Sequence, residues 1–247
     1  MNAEGRGAVA DCLVIFGLPW FQHPARSCEA CDVDPDRFLR ELPALFDDFP
    51  RSESPRDPRF AAVLAEIDGL TQPNNLALLN LAATCLEPGE TYVEVGTFKG
   101  TSLIATLQGN ENKDVVAIDD FSLQKGSREQ LDANLRRFGL EQTPTILEGS
   151  VFELVPGGAL GERRVGVWYY DAAHDYESQV KGLQIVEPWL VPGALLIVDD
   201  SDWERVARAI DDYLAAQSRA RRILSVDGGD FDAPHWWCGM QVLAWDA

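Results

Sequence analysis

The sequence predicts an α/β protein, doubly wound around a seven-stranded, mostly parallel sheet of the Rossmann-like kind, with the last strand antiparallel and helices on both faces. Three observations carry this. Short apolar runs of strand length alternate five times with segments of helical spacing, and right-handed crossovers turn that alternation into a parallel sheet. The runs lead into carboxylates or glycine, as strands feeding a ligand crevice do. Two further strand-like runs, 221–227 and 235–245, close the chain around a Gly228-Gly229-Asp230 turn region.

The first run, Thr91-Tyr-Val-Glu94-Val95, precedes Gly96-Thr97-Phe-Lys-Gly100 and a helix opening at Thr101-Ser102. Strand, tight turn and helix start in that order let a ligand approach the main chain, with the Glu94 carboxylate alongside. The spacing Glu-x-Gly-x-x-x-Gly fits neither G-x-G-x-x-G nor a phosphate loop. A ligand offering hydroxyls or a cation suits it better than a pyrophosphate.

Before this strand, residues 1–56 are expected to form an N-terminal extension or cap, and 57–247 the main domain. A short helix is expected over Asp36–Phe46. Cys28-Glu-Ala-Cys31, near His23 and Cys12, lacks the second half of a zinc spacing and reads as free thiols. Two helices follow between Pro58 and Leu86. One carries Phe60, Val63, Leu64 and Ile67, and the other has Pro73 in its first turn with Leu76, Leu79 and Ala83 inward.

Further on, Asp114–Asp119 is a buried-type strand ending in Asp119-Asp120, and a helix then runs from Ser127 to Phe138. Pro144–Glu148 leads to Gly149-Ser150 and a short helical piece. Val165–Tyr170 ends at Asp171, before His174-Asp-Tyr176 and a helix. The run Pro192–Val198 ends in Asp199-Asp200, with Ser201 and Glu204 spaced as a capping box for the next helix. Trp236 and Trp237 read as core and rim aromatics, and Cys85 and Cys238 as packing residues.

With 46% hydrophobic and 25% charged residues the chain can bury a proper core. A net charge of −19, from 40 acidic and 21 basic residues, repels nucleic acid and anionic lipid, so neither is an expected partner. Five cysteines make no dense disulfide framework and suit a reducing, cytoplasmic setting. The apolar stretch 8–21 is interrupted by Asp11 and is not expected to act as a signal peptide, and no other segment is long and apolar enough to span a bilayer. Phe16, Trp20 and Phe21 could pack on a second copy, giving a homo-oligomer.

One acidic strand end means little, because aspartate caps helices in any protein. Several at one sheet edge repel each other unless a ligand or cation offsets them. Glu94-Val-Gly96-Thr-Phe-Lys-Gly100, Asp119, Asp171-Ala-Ala-His174-Asp-Tyr176 and Pro192-Gly-Ala-Leu-Leu-Ile-Val-Asp199-Asp200 resemble a class I S-adenosylmethionine-dependent methyltransferase. Within that class they look like the bacterial small-molecule O-methyltransferases of the macrolide-sugar type. The resemblance covers roughly residues 70–245.

It implies that Glu94, Gly96, Thr97, Gly100, Thr101 and Ser102 surround the methionine and ribose of S-adenosylmethionine. Asp119 would accept from the ribose hydroxyls, Ser150 would lie near the adenine, and Asp171 would face the cofactor. By the same resemblance Asp171, Asp199 and Asp200 hold Mg²⁺, while His174 or Asp171 takes the proton of a hydroxyl on a small acceptor, a sugar or secondary metabolite. Relatives often carry an acid where this chain has Ala173. A hydroxylase-like or aminopropyl-transfer enzyme, and a non-catalytic binding protein on the same fold, remain alternatives.

Overall fold

The computed structural model describes residues 32–228 and 235–246. Cys12, His23, Cys28, Cys31 and the aromatic arm of Phe16, Trp20 and Phe21 lie outside the described residues, as does most of the turn region at 228–230. Seven strands form one sheet: β1 (Glu90–Val95), β2 (Asp114–Asp119), β3 (Pro144–Glu148), β4 (Arg164–Tyr170), β5 (Leu190–Asp199), β6 (Ala220–Val226) and β7 (Met240–Trp245). Their order is β3-β2-β1-β4-β5-β7-β6. Only β7 is antiparallel, to both β5 and β6. The chain winds outward from β1 to β3, then returns to lay β4 on the other side of β1, so strand order reverses between β1 and β4. A crevice opens at the carboxyl ends of such a pair.

The helices are α1 (Pro35–Glu41), α2 (Arg59–Glu66), α3 (Pro73–Thr84), α4 (Thr101–Leu107), α5 (Ser127–Arg137), α6 (Val151–Leu154), α7 (Tyr176–Gln184) and α8 (Glu204–Ala216). Among the described residues no helix is long and apolar enough to cross a membrane. The helix expected over Asp36–Phe46 stops at Glu41 and continues as a tighter 3₁₀ turn over Leu42–Leu45. Pro43 has no N–H to offer and clashes with the preceding turn. This segment is tied to the sheet: Phe38, Leu42 and Phe46 are buried, and the Val33 N–H donates to Glu90 at 3.1 Å.

Helix α3 shows no single inward face, because every residue from Asn74 to Ala83 is buried. Covered on all sides, it accommodates three asparagines only because each is bonded. Asn74 donates to the Ser52 carbonyl at 2.8 Å, Asn80 to the Ala105 carbonyl at 2.9 Å, and Asn75 accepts from the Trp237 N–H at 2.9 Å.

Two ends differ from the sequence reading. The closing strand starts at Met240 rather than 235, since Cys238 (φ 47°) and Gly239 (φ 75°) adopt left-handed backbone that no strand can contain. The capping box at Ser201 and Glu204 does not form. Helix α8 begins behind Trp203, without a side-chain cap, while the Asp202 carboxylate accepts from the Gly228 N–H at 2.7 Å and shapes the loop instead.

Candidate active site

Gly96 stands where β1 and β4 diverge. Its φ is 93°, and a Cβ built there would lie 1.7 Å from the Asp171 carbonyl oxygen, so backbone meets backbone at this point. The turn beyond it is held from two directions. Asp119 Oδ2 accepts from the Phe98 N–H at 2.7 Å and Oδ1 from the Phe121 N–H at 2.6 Å. Burial pushes the Asp119 carboxyl up, against the pull of those two amides. Beneath the turn Glu94 is fully buried and accepts from the Ser102 hydroxyl at 2.8 Å and from Tyr92 at 3.3 Å. Burial raises its carboxyl to about 7, offset in part by the Ser102 and Thr97 hydroxyls.

A cavity of about 790 Å³ opens over this turn. That is room for a ligand of nucleoside size or larger. Gly96, Thr97, Thr101, Ser102, Asp119, Ser150 and Asp171 line it. Glu94 and Gly100 do not: Glu94 braces the turn from below, and Gly100 (φ 87°) faces Leu131, whose Cδ1 would lie 2.5 Å from an added Cβ.

At the far end, loops after β4 and β5 bring three side chains together. His174 Nε2 lies 2.7 Å from Asp200 Oδ2 and 3.6 Å from Asp171 Oδ1. Helix α7 is capped not by His174 but by Asp175, which accepts from the Ser178 N–H at 3.0 Å, leaving His174 free to face the cavity. Asp200 reaches it because its backbone is left-handed (φ 51°). Burial opposes charge on the imidazole, but Asp171 and Asp200 outweigh it and raise the pKa to about 10. Burial likewise raises Asp171, against His174.

Asp199 does not join this group. It is 1% exposed, and its Oδ2 lies 3.1 Å from the Tyr169 hydroxyl, which is also 3.1 Å from Asp171 Oδ2. Burial, then Asp171 and Asp200, push the Asp199 carboxyl well up. A hydroxyl has one proton to give. Tyr169 therefore cannot donate to both carboxylates at once, and burial favours the neutral form of Asp199.

The grouping of Asp171, His174 and Asp200 has ligand atoms within 4.8 Å of one another, the one such set among the described residues. Its donors fit a divalent cation. Nε2 has no hydrogen-bond partner despite its two carboxylate neighbours, and Asp200 Oδ1 has none either, although both atoms are buried. The set that geometry offers is thus two carboxylates and an imidazole, in place of three carboxylates. Oxygen ligands suit Mg²⁺ or Mn²⁺, and the nitrogen widens the choice toward softer ions.

Trp203, Leu70 and Leu123, which the sequence does not single out, complete the walls with Trp237 and with Cys238, expected as a packing residue. Trp203, with its ring 5.3 Å from that of His174, and Cys238 line the same end, and Trp237 joins them there while Trp236 packs in the core against Phe46. Burial pushes the Cys238 thiol up to about 11, which keeps it a thiol. The exposed Leu70 and Leu123 rim the opening. Their signal, an apolar side chain in a turn segment, is visible in sequence but common.

Residues 93–201 match a family model described as a methyltransferase domain. Over that stretch, a little under half of the chain, the sequence is similar to methyltransferase domains. An uncharacterised protein of Acanthamoeba polyphaga mimivirus is 25% identical over 132 residues, covering 50% of this chain and 57% of its own length, so the match spans little more than half of that relative. Among solved structures, an O-methyltransferase from Bacillus cereus in complex with S-adenosylhomocysteine superposes with a TM-score of 0.56 at 15% identity, covering 78% of this chain and 92% of that one. TomG, an O-methyltransferase from Streptomyces achromogenes involved in tomaymycin synthesis and bound to S-adenosylmethionine, gives 0.58 at 15% identity, covering 87% and 97%. These likenesses establish the methyltransferase fold, and the seven-stranded sheet with its antiparallel β7 is the form that the sequence predicts.

Proposed function

We propose that this methyltransferase moves a methyl group from S-adenosylmethionine to a hydroxyl of a small molecule, a sugar or secondary metabolite, at the Asp171, His174 and Asp200 end of the cavity. The observation that carries the reading is the placement of these three groups across one continuous cavity from the Gly96 turn and Asp119. The donor fits its near side: Gly96 leaves room beside the backbone, Asp119 and Ser150 offer acceptors for ribose and adenine, and acidic walls suit a sulfonium. S-adenosylhomocysteine in the Bacillus cereus protein and S-adenosylmethionine in TomG support the same assignment.

The reaction asks little of the protein beyond alignment. The acceptor oxygen attacks the methyl carbon, a C–O bond forms, the C–S bond breaks to leave a thioether, and the hydroxyl proton passes to a base. Asp171 and Asp200, which raise the His174 pKa to about 10, hold the imidazole proton and oppose its use as a base. His174 becomes one when Asp171 and Asp200 acquire another counter-charge, which the donor's sulfonium supplies in part. Asp171 and Asp200, with His174 beside them, would also hold a divalent cation, Mg²⁺ by the chemistry of the oxygens. When bound, that ion would lower the pKa of the acceptor hydroxyl and fix its direction.

Calorimetry with S-adenosylhomocysteine, followed by mass spectrometry of a pooled hydroxylated library incubated with the donor, tests this reading. Binding that weakens on Asp119→Ala and products heavier by one methyl group are expected. A wild-type chain that binds no S-adenosylhomocysteine would overturn it.

A further inference from the structure

Four carboxylates line the cavity, Asp119, Asp120, Asp171 and Asp200, yet among the described lining residues Lys99 is the one lysine or arginine. Its side chain is only 10% exposed, while its ion-pair partner, Asp68 at 3.0 Å, is 94% exposed. An ion pair whose acid lies in open water contributes little, and burying an ammonium for so weak a partner has a cost that the pair does not recover. The position is also rigid. The Phe98 N–H is fixed on Asp119, Asn134 Nδ2 donates to the Lys99 carbonyl at 2.9 Å, and the ammonium rests 4.8 Å above the Phe98 ring.

Asp68 belongs to a strap, Asp68-Gly-Leu-Thr71, that lies on the turn. A Cβ on Gly69 would fall 2.3 Å from the Thr101 hydroxyl oxygen. Gly69, Leu70 and Thr71 line the same cavity, and the hydroxyl of Thr71, which is 9% exposed, has no hydrogen-bond partner. A preset cation and an unpartnered donor therefore face the cavity beside the Gly96 turn, away from the acidic end.

We infer that Lys99 is the anchor for the α-carboxylate of the donor's amino-acid portion, which takes the place of Asp68 on the ammonium when the donor binds. The inference rests on the S-adenosylmethionine reading above. It follows from placement and charge together: a zwitterionic amino-acid group entering a cavity with four carboxylates meets, in the buried and rigidly held Lys99, the one lysine or arginine among the described lining residues for its negative end. Fixing that end sets the sulfonium at a constant reach from the acceptor site, so Lys99 selects donors that keep the carboxylate.

Calorimetry of the full chain with two probes tests this. S-adenosylhomocysteine carries the carboxylate, and 5′-methylthioadenosine lacks the whole amino-acid group. Lys99→Met should weaken S-adenosylhomocysteine by about tenfold or more, the size of one charge-assisted hydrogen bond, and leave methylthioadenosine within about twofold. Asp68→Asn should tighten S-adenosylhomocysteine alone, because it removes the competing anion. Unchanged S-adenosylhomocysteine binding in Lys99→Met, or equal weakening of both probes, would overturn the role of Lys99 while the donor assignment stands. A wild type that binds neither probe would overturn the donor reading and the inference together.

Discussion

The Cβ that Gly96 lacks would sit 1.7 Å from the carbonyl oxygen of Asp171, so the first strand's turn and the fourth strand's end share a space that only glycine leaves open. Gly96→Ala forces the two strand ends apart at the point where the sheet reverses. It also puts a side chain on backbone with φ 93°. Overpacking and left-handed strain together should cost about 3 kcal/mol. Urea unfolding measures the loss, and calorimetry should show S-adenosylhomocysteine binding gone even where the variant is folded. Native stability with normal binding would mean that the strand ends move freely.

Glu94 makes stability depend on pH. Its carboxyl titrates near 4.5 in the unfolded chain and at about 7 in the folded one, chiefly because it is buried. Between those values the folded state holds a proton that the unfolded state has released. Raising pH through that window therefore removes stability, by about 3 kcal/mol in all, and above 7 the loss is complete. Glu94→Gln keeps the Ser102 contact without a titrating proton. Denaturant unfolding from pH 5 to 8 should show wild type losing stability relative to the variant, and parallel curves would refute the assignment.

A cation at the acidic end should appear as a thermal shift. Mg²⁺ or Mn²⁺ bound to the native state and not to the unfolded chain raises Tm, by about 2.7 kcal/mol of stabilisation at a hundred times the dissociation constant. Asp200→Ala should abolish the shift and EDTA should reverse it. Methyl transfer that persists in EDTA would leave His174 and Asp171 to work without metal.

His174 is expected to act on rate more than on binding. His174→Gln keeps a polar group between Asp171 and Asp200 but cannot carry the proton. A fall in kcat of about a hundredfold or more with donor affinity within a few-fold is the signature of a lost base. Donor affinity that falls as far as kcat would instead make His174 part of the cavity's scaffold.

Much of the fold and the site is legible in the chain. The five β-type runs, their spacing and their carboxylate ends are local properties, and every strand appears within a few residues of its expected place. What is not legible depends on contacts far apart in sequence. Leu76, Leu79 and Ala83 suggest an amphipathic helix, but α3 is enclosed on all sides by helices before and after it. Ser201 and Glu204 have capping-box spacing, yet Asp202 is drawn away to Gly228. Lys99 is an unremarkable letter in a turn until the strap at 68–71 closes over it.

The choice between Asp199 and Asp200 is the sharpest case, since two adjacent carboxylates look alike in sequence. Neighbouring residues on a strand face opposite ways, and the left-handed backbone at Asp200 decides which one reaches the cavity. Asp199 is left behind in the core, where burial favours its neutral form, with Oδ1 3.4 Å from the donor Asn75 Nδ2 and Oδ2 against Tyr169. An asparagine there is neutral and of the same shape: its oxygen can accept from Asn75, and its amide can donate to the Tyr169 oxygen. Asp199→Asn should therefore keep stability within about 1 kcal/mol and activity within a few-fold. Asp200→Asn, which removes a charge facing His174, should lose activity and any Mg²⁺-dependent thermal shift. If instead Asp199→Asn is the variant that loses the shift, Asp199 is ionised and it, not Asp200, binds the cation.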